Sequence, residues 1–138
     1  MVKWKEILMI FCIGAVGYSV LEILWRGYTH WTMTLTGGFC FLAIYAINGR
    51  LEGAKLWKKC LAGAVSITAV EFAVGMLVNR VLLMDVWDYS NRFCNLFGQI
   101  CLLYSVLWFF LCIPLDFLCR RLRVWFAERR MERKSSVG

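Results

Sequence analysis

The sequence predicts an all-α integral membrane protein: four transmembrane helices paired as two hairpins, with both termini in the cytoplasm. Three observations carry that expectation. Hydrophobic residues make up 61% of the 138 and charged residues 18%, with one proline, Pro114. A soluble domain of this length has too little interior for so much apolar surface. The apolar residues gather into four runs, each close to the roughly 20 residues that cross a hydrocarbon core as a helix. Threading those runs back and forth leaves only Arg26, Arg80 and Arg92 of the 16 cations on one side, the positive-inside pattern.

The first span covers about residues 7–24. Lys3 and Lys5 precede it, and it ends in Glu22-Ile23-Leu24-Trp25-Arg26 rather than at a small-residue cleavage site, so it reads as a retained signal anchor. Glu22 stands four residues before Arg26, the favourable order for an intrahelical ion pair at the outer boundary. Arg26 is alternatively a partner of Arg80 or Arg92 in holding an anion. The second span, about residues 31–47, follows the turn Arg26-Gly27-Tyr28-Thr29-His30. His30 and Trp31 fall at the outer boundary, where tryptophan anchors and a lone histidine is either a polar cap or a ligand. Gly37 and Gly38 are small enough to admit a neighbouring helix. Arg50, Lys55, Lys58 and Lys59 then mark the inner loop.

The third span, about residues 61–78, carries the sharpest single residue. Glu71 lies roughly 15 Å beyond the start of that span, near the bilayer centre. Cys60, Ala64, Thr68 and Gly75 share its face, which should therefore point into the bundle. An ionised carboxylate at that depth costs several kcal/mol unless paired or wetted. It is either a proton- or cation-coupled site or a carboxyl that fixes helix packing.

The outer connection runs from Arg80 to about Phe97 and holds Trp87, Asp88, Tyr89, Ser90 and Asn91, followed by Asn95, Gly98 and Gln99. So many hydrogen-bonding groups in a short loop either cap the third and fourth helices or line an outer mouth that dips toward the bundle. The fourth span is about residues 100–119. Helical spacing places Cys94, Cys101, Cys112 and Cys119 on one stripe, with Gly98, Ser105 and Asp116 close to it, a small-residue face for helix packing. The seven cysteines form no CxxC pair, so zinc and thioredoxin-type readings fail. Leu118, Leu122, Trp125 and Phe126 then keep helical spacing among arginines, an amphipathic extension suited to an anionic membrane surface. Residues 1–134 read as one domain and residues 135–138 as a disordered tail. Gly37-Gly38-Phe39-Cys40-Phe41-Leu42 aligns with Gly98-Gln99-Ile100-Cys101-Leu102-Leu103, each preceded by a tryptophan, which raises a parallel repeat of the two hairpins.

The net charge of +7 is a topology determinant, and no nucleic-acid partner is expected. No GxxxxGK[ST], HExxH or GxSxG motif occurs, so neither catalytic residues, cofactor nor metal are expected. An enzyme acting on lipid would have Glu22, His30, Asp88 and Arg92 for acid–base work, but no spacing marks a site.

Arg26-Gly27, His30-Trp31, Gly37-Gly38 and Trp87-Asp88-Tyr89-Ser90, with Asn95, Gly98, Gln99, Ile100 and Cys101 downstream, give the chain a specific likeness. From about Gly14 to Phe117 it resembles the ABC-transporter type IV, or CmpB-like, permeases, small membrane proteins of mostly Gram-positive bacteria. The resemblance implies a multi-pass protein of the bacterial plasma membrane, nominally a permease component, with its motif acids and amides at Glu22, Arg26, Glu71, Asp88, Asn95 and Gln99. Phe93 stands where similar proteins often carry proline, which bears on the loop's shape. The expected function is transport, as a permease-like component or a homo-oligomeric carrier or channel using a mid-membrane carboxylate. The alternative is an accessory subunit of a larger membrane complex. Four helices are too few to enclose a wide path, so a homo-oligomer or a partner membrane subunit is expected, with a separate ATPase among the candidate partners.

Overall fold

The computed structural model describes residues 3–138. Four helices follow one another: α1 (Trp4–Arg26), α2 (Trp31–Arg50), α3 (Leu56–Gly75) and α4 (Leu102–Val137), with a π-helical turn, Met76–Val81, prolonging α3. Each is long and apolar enough to cross a membrane, α3 together with its π turn. Inner and outer are used below for the two ends as the charge bias orients them. Large apolar side chains such as Leu24, Val65 and Phe110 point outward, as expected where lipid rather than water is the solvent.

Local chemistry sets the ends of the first hairpin. α1 stops at Gly27, whose φ of +82° suits glycine and whose N–H reaches the Ile23 carbonyl. α2 begins at His30, whose Nδ1 accepts the Thr32 N–H at 3.3 Å, so His30 is a cap. The hairpin closes on glycine: a Cβ on Gly14 would lie 2.8 Å from the Gly37 carbonyl oxygen, and one on Gly38 would strike the Phe11 ring at 2.5 Å. Backbones meet there because nothing larger intervenes.

α3 pairs with α4, and α2 packs closely on both of them as well as on α1, whereas the α1 and α4 backbones stay farther apart and meet through long side chains. The resulting layout is a four-helix bundle with a groove between α1 and α4. Its core holds Ile10, Phe41, Ile44, Cys60, Ile67, Cys112, Cys119 and Phe126. Toward the inner end Asp116, 5% exposed, ties three helices together. It accepts a hydrogen bond from Asn48 of α2 and pairs with Lys59 of α3 at 3.4 Å and with Arg120 of its own helix at 3.2 Å.

Three expectations change. The cysteine stripe shrinks to Cys112 and Cys119, because α4 starts only at Leu102: Gly98 at φ +72° and the Leu96–Ile100 bridge hold the preceding residues out of the helix. Cys94 is exposed there and Cys101 is buried at the N-cap. The aligned glycine motifs occupy unlike places, Gly37-Gly38 within α2 and Gly98-Gln99 in the turn before α4, so that pairing does not mark a structural repeat. The tail is also helical through Val137, with the Ser135 and Ser136 hydroxyls donating back to the Glu132 and Arg133 carbonyls.

Candidate functional site

The polar residues of the outer half converge where the Leu82–Cys101 connection folds down onto the helices. The π turn makes that possible. Its wider winding, a feature frequent at functional sites, turns Asn79 inward, 8% exposed. Asn79 accepts the Val86 N–H at 2.7 Å and donates to Gln99 Oε1 at 2.8 Å. Gln99 in turn donates to the Phe97 carbonyl at 2.9 Å, and the Trp87 indole donates to the Gln99 carbonyl at 2.9 Å. Trp87 and Gln99 are buried and rest against Gly75: a Cβ at position 75 would lie 2.6 Å from Gln99 Oε1 and 2.9 Å from the Trp87 ring. Gly75 therefore seats a loop, not a helix as the sequence suggests.

The docked connection delivers Tyr89 to Glu71. Glu71 is 4% exposed, and both its oxygens are engaged: Oε1 accepts the Tyr89 hydroxyl at 3.1 Å and Oε2 the Trp108 indole N–H at 3.2 Å. No cationic side chain pairs with it among the described residues. Burial, then the nearby Glu71 charge, push the Tyr89 hydroxyl well above its usual ionisation range, so it remains a proton donor.

A second carboxylate lies across the groove. Glu22 on α1 accepts the Tyr18 hydroxyl at 2.9 Å and pairs with Arg26 at 2.7 Å, the i,i+4 ion pair its spacing predicts. The Arg26 Nη2 is buried without a partner. Aromatic rings join the two centres: Tyr89 stacks on Tyr104 at 4.8 Å, Tyr104 adjoins Trp108, and Trp108 adjoins Tyr18. Between α1 and α4 these groups enclose a cavity of about 300 Å³, lined among others by Tyr18, Glu22, Arg26, Tyr89, Tyr104 and Trp108. Glu71 stands directly behind its wall, bonded to two of the lining residues. A second cavity of about 280 Å³ continues the groove inward past Ile13, Phe41 and Leu118 and is almost wholly apolar.

The other outer-loop residues serve the loop itself. Asp88 is exposed and accepts the Ser90 N–H at 2.9 Å, a bond that holds its carboxyl below the usual range. Asn95 donates to the Ser90 and Arg92 carbonyls at 3.2 and 2.8 Å and accepts the Gly98 N–H at 3.2 Å. Asn91 is exposed, and Trp31 stands outside the cavity beside His30. These residues neither cap α4, whose N-cap Cys101 has no side-chain partner, nor line the cavity. Gly98 is a turn residue, not a packing one: its φ is +72° and a Cβ would lie 2.8 Å from Asp88 Oδ1. His30, Asp88 and Arg92 do not join Glu22 in the cavity lining.

Of the sequence-derived candidates, the structure brings together Glu22, Arg26, Glu71 and Tyr89, with Gln99 and Trp87 as their support. Sequence reasoning missed Tyr18, Asn79, Tyr104 and Trp108. Only Tyr18 carried a signal, four residues before Glu22 on the same helix face.

The arrangement sets one carboxylate, ion-paired, in the cavity wall and a second directly behind it, neutralised by no cation among the described residues. That is chemistry suited to exchanging a proton or a small cation at depth. The family model described as Putative ABC-transporter type IV matches residues 8–132. No curated protein and no solved structure matches the chain. A match over nearly the whole bundle, including both carboxylates and the docked connection, means that the chain belongs to the ABC-transporter type IV family of membrane proteins.

Proposed function

We propose that this chain is a membrane-embedded component of a transport system of the bacterial plasma membrane, and that Glu71 is the group through which a proton or monovalent cation couples to the path. The observation that carries this reading is the position of Glu71. It is a buried acid with no basic partner among the described residues, hydrogen-bonded to two side chains lining a cavity that opens beside the bundle rather than through it. An intramembrane acid without a cationic partner marks a candidate ion or proton pathway, and only the Tyr89 and Trp108 side chains stand between this one and the cavity. A path open on one side needs a second surface to close it, so the working unit is an assembly, either of several copies or with another membrane subunit and an ATPase.

Composition tests the assembly directly. Native mass spectrometry of the protein gently extracted from its own membrane should find a homo-oligomer or a complex with further subunits. A lone monomer with no partner would overturn the reading. The accessory reading has its own supporting observation: both Glu71 oxygens are already used in holding the outer loop and α4 to α3. It differs in predicting that Glu71→Gln, once folded, changes no flux.

A further inference from the structure

At the inner end α4 does not stop at the membrane boundary. Its 36 residues extend about 54 Å at the helical rise, well beyond the roughly 30 Å of a hydrocarbon core. Its inner portion lies against the start of α1, where Phe126 is 4% exposed. Arg130 reaches the buried Glu6 of α1 at 3.7 Å.

Between the two helices is a cleft of about 390 Å³ that shares no residue with the outer cavity beside Glu71. Its charges come from Lys3, Lys5, Arg129, Arg130 and Arg133, against Glu6 alone. Arg130 answers Glu6, so four cations are left without a counter-charge within the cleft. The remaining wall is apolar: Trp4, Met9, Trp125 and Phe126. Arg129 lies over the Trp125 ring at 4.4 Å, which fixes its guanidinium at the rim. A second basic hollow, with Lys3, Arg133 and Lys134, adjoins it.

We infer that this cleft is a binding site for the headgroup of an anionic phospholipid from the inner leaflet. Charge selects an anion, and the apolar wall selects the source. A free phosphate gains nothing from two tryptophans and a methionine. A lipid phosphate at this level leaves its acyl chains beside the exposed Trp4 and Leu8, where the apolar run of α1 enters the membrane. Tryptophans sit at this interface by preference, and basic hollows between helices on the inner side are suited to anionic headgroups. Bound there, the lipid clamps the α4 extension to the start of α1. The inference is independent of the transport reading.

The test uses the protein with whatever subunits remain bound, exchanged into micelles containing equal amounts of phosphatidylglycerol and phosphatidylcholine and read by native mass spectrometry. Four uncompensated cations predict retention of phosphatidylglycerol over phosphatidylcholine by about tenfold or more. Arg129→Gln with Arg133→Gln should lower that preference about tenfold, while Arg129→Lys with Arg133→Lys keeps it. Phosphatidylglycerol should raise the thermal midpoint, and millimolar inorganic phosphate should not. Equal retention of the two lipids by the unaltered protein would overturn the inference without recourse to any variant. So would an unchanged preference in the glutamine pair, or an equal midpoint shift from phosphate alone.

Discussion

Replacing Gly75 with alanine tests how the outer connection is held over Glu71. The added Cβ meets three atoms at once: Gln99 Oε1 at 2.6 Å, Trp87 Cζ2 at 2.9 Å and Gln99 Cβ at 3.0 Å. None of them can yield freely. Gln99 is fixed by Asn79 at 2.8 Å and by the Phe97 carbonyl at 2.9 Å, and the Trp87 ring is held by its bond to the Gln99 carbonyl at 2.9 Å. Overpacking of this kind costs about 1–3 kcal/mol, and each hydrogen bond sacrificed adds about 0.5–1.5 kcal/mol. The helix itself gains about 0.5–1 kcal/mol from losing a glycine. A net loss of about 1–3 kcal/mol should fall on the loop rather than on the bundle. Hydrogen exchange reads it directly through the Val86 amide, bonded to Asn79 at 2.7 Å, and the Tyr89 amide, bonded to the Gly98 carbonyl at 2.7 Å. Both should exchange about five- to a hundredfold faster. Gly17→Ala is the control, because its Cβ would meet nothing within 4 Å, and it should leave both rates unchanged. Unaltered exchange in Gly75→Ala would refute the claim that the connection is docked against that glycine.

Further outcomes follow from the same geometry. Tyr89→Phe and Trp108→Phe each remove one donor from the buried Glu71 carboxylate, and each should cost about 1–3 kcal/mol in unfolding free energy measured in lipid. Combined with Glu71→Gln, either should cost much less than the sum. Asp116→Ala strands Lys59, whose side chain is 12% exposed. It should destabilise the bundle by about 3 kcal/mol, and Lys59→Met in the same chain should recover most of that loss. The Asp88 carboxyl is held below its usual 3.8 by its bond to Ser90. Its contribution to the turn is therefore full above pH 3.8 and lost only as pH falls through the lower folded value. The Ser90 amide resonance should titrate with a midpoint below 3.8, and a midpoint at or above it would contradict the bond.

What the sequence made legible was what periodicity and spacing encode. The spans, the inward face of Glu71 and the Glu22–Arg26 pair follow from local spacing, whereas the sequence left His30 as cap or ligand and the Thr32 N–H decides it. The partners of Glu71 do not follow from local spacing. Tyr89 lies 18 residues away and Trp108 37, and both arrive only through the rotation of α4 and the docking of a loop that carries no regular pattern. The same loop explains the misplaced candidates. Asp88, Ser90, Asn91 and Asn95 are among its polar residues, yet Asp88, Ser90 and Asn95 satisfy the loop's own turns, while the amphipathic Tyr89 and Trp87 face inward. Asp116 was hidden for another reason. Its spacing places it beside the packing stripe of α4, but its partners Lys59 and Asn48 stand on other helices and reach it only in the fold.

The central claim is that Glu71 couples ion movement to the path, and flux measures it most directly. The assembly would be placed in sealed vesicles, with an entrapped pH dye for protons and radiolabelled rubidium for a monovalent cation. The unaltered protein should move one of the two, and Glu71→Gln, with its loop exchange rates normal, should slow that movement by about tenfold or more. Equal rates in the two proteins, or no movement of either ion by the unaltered assembly, would contradict it.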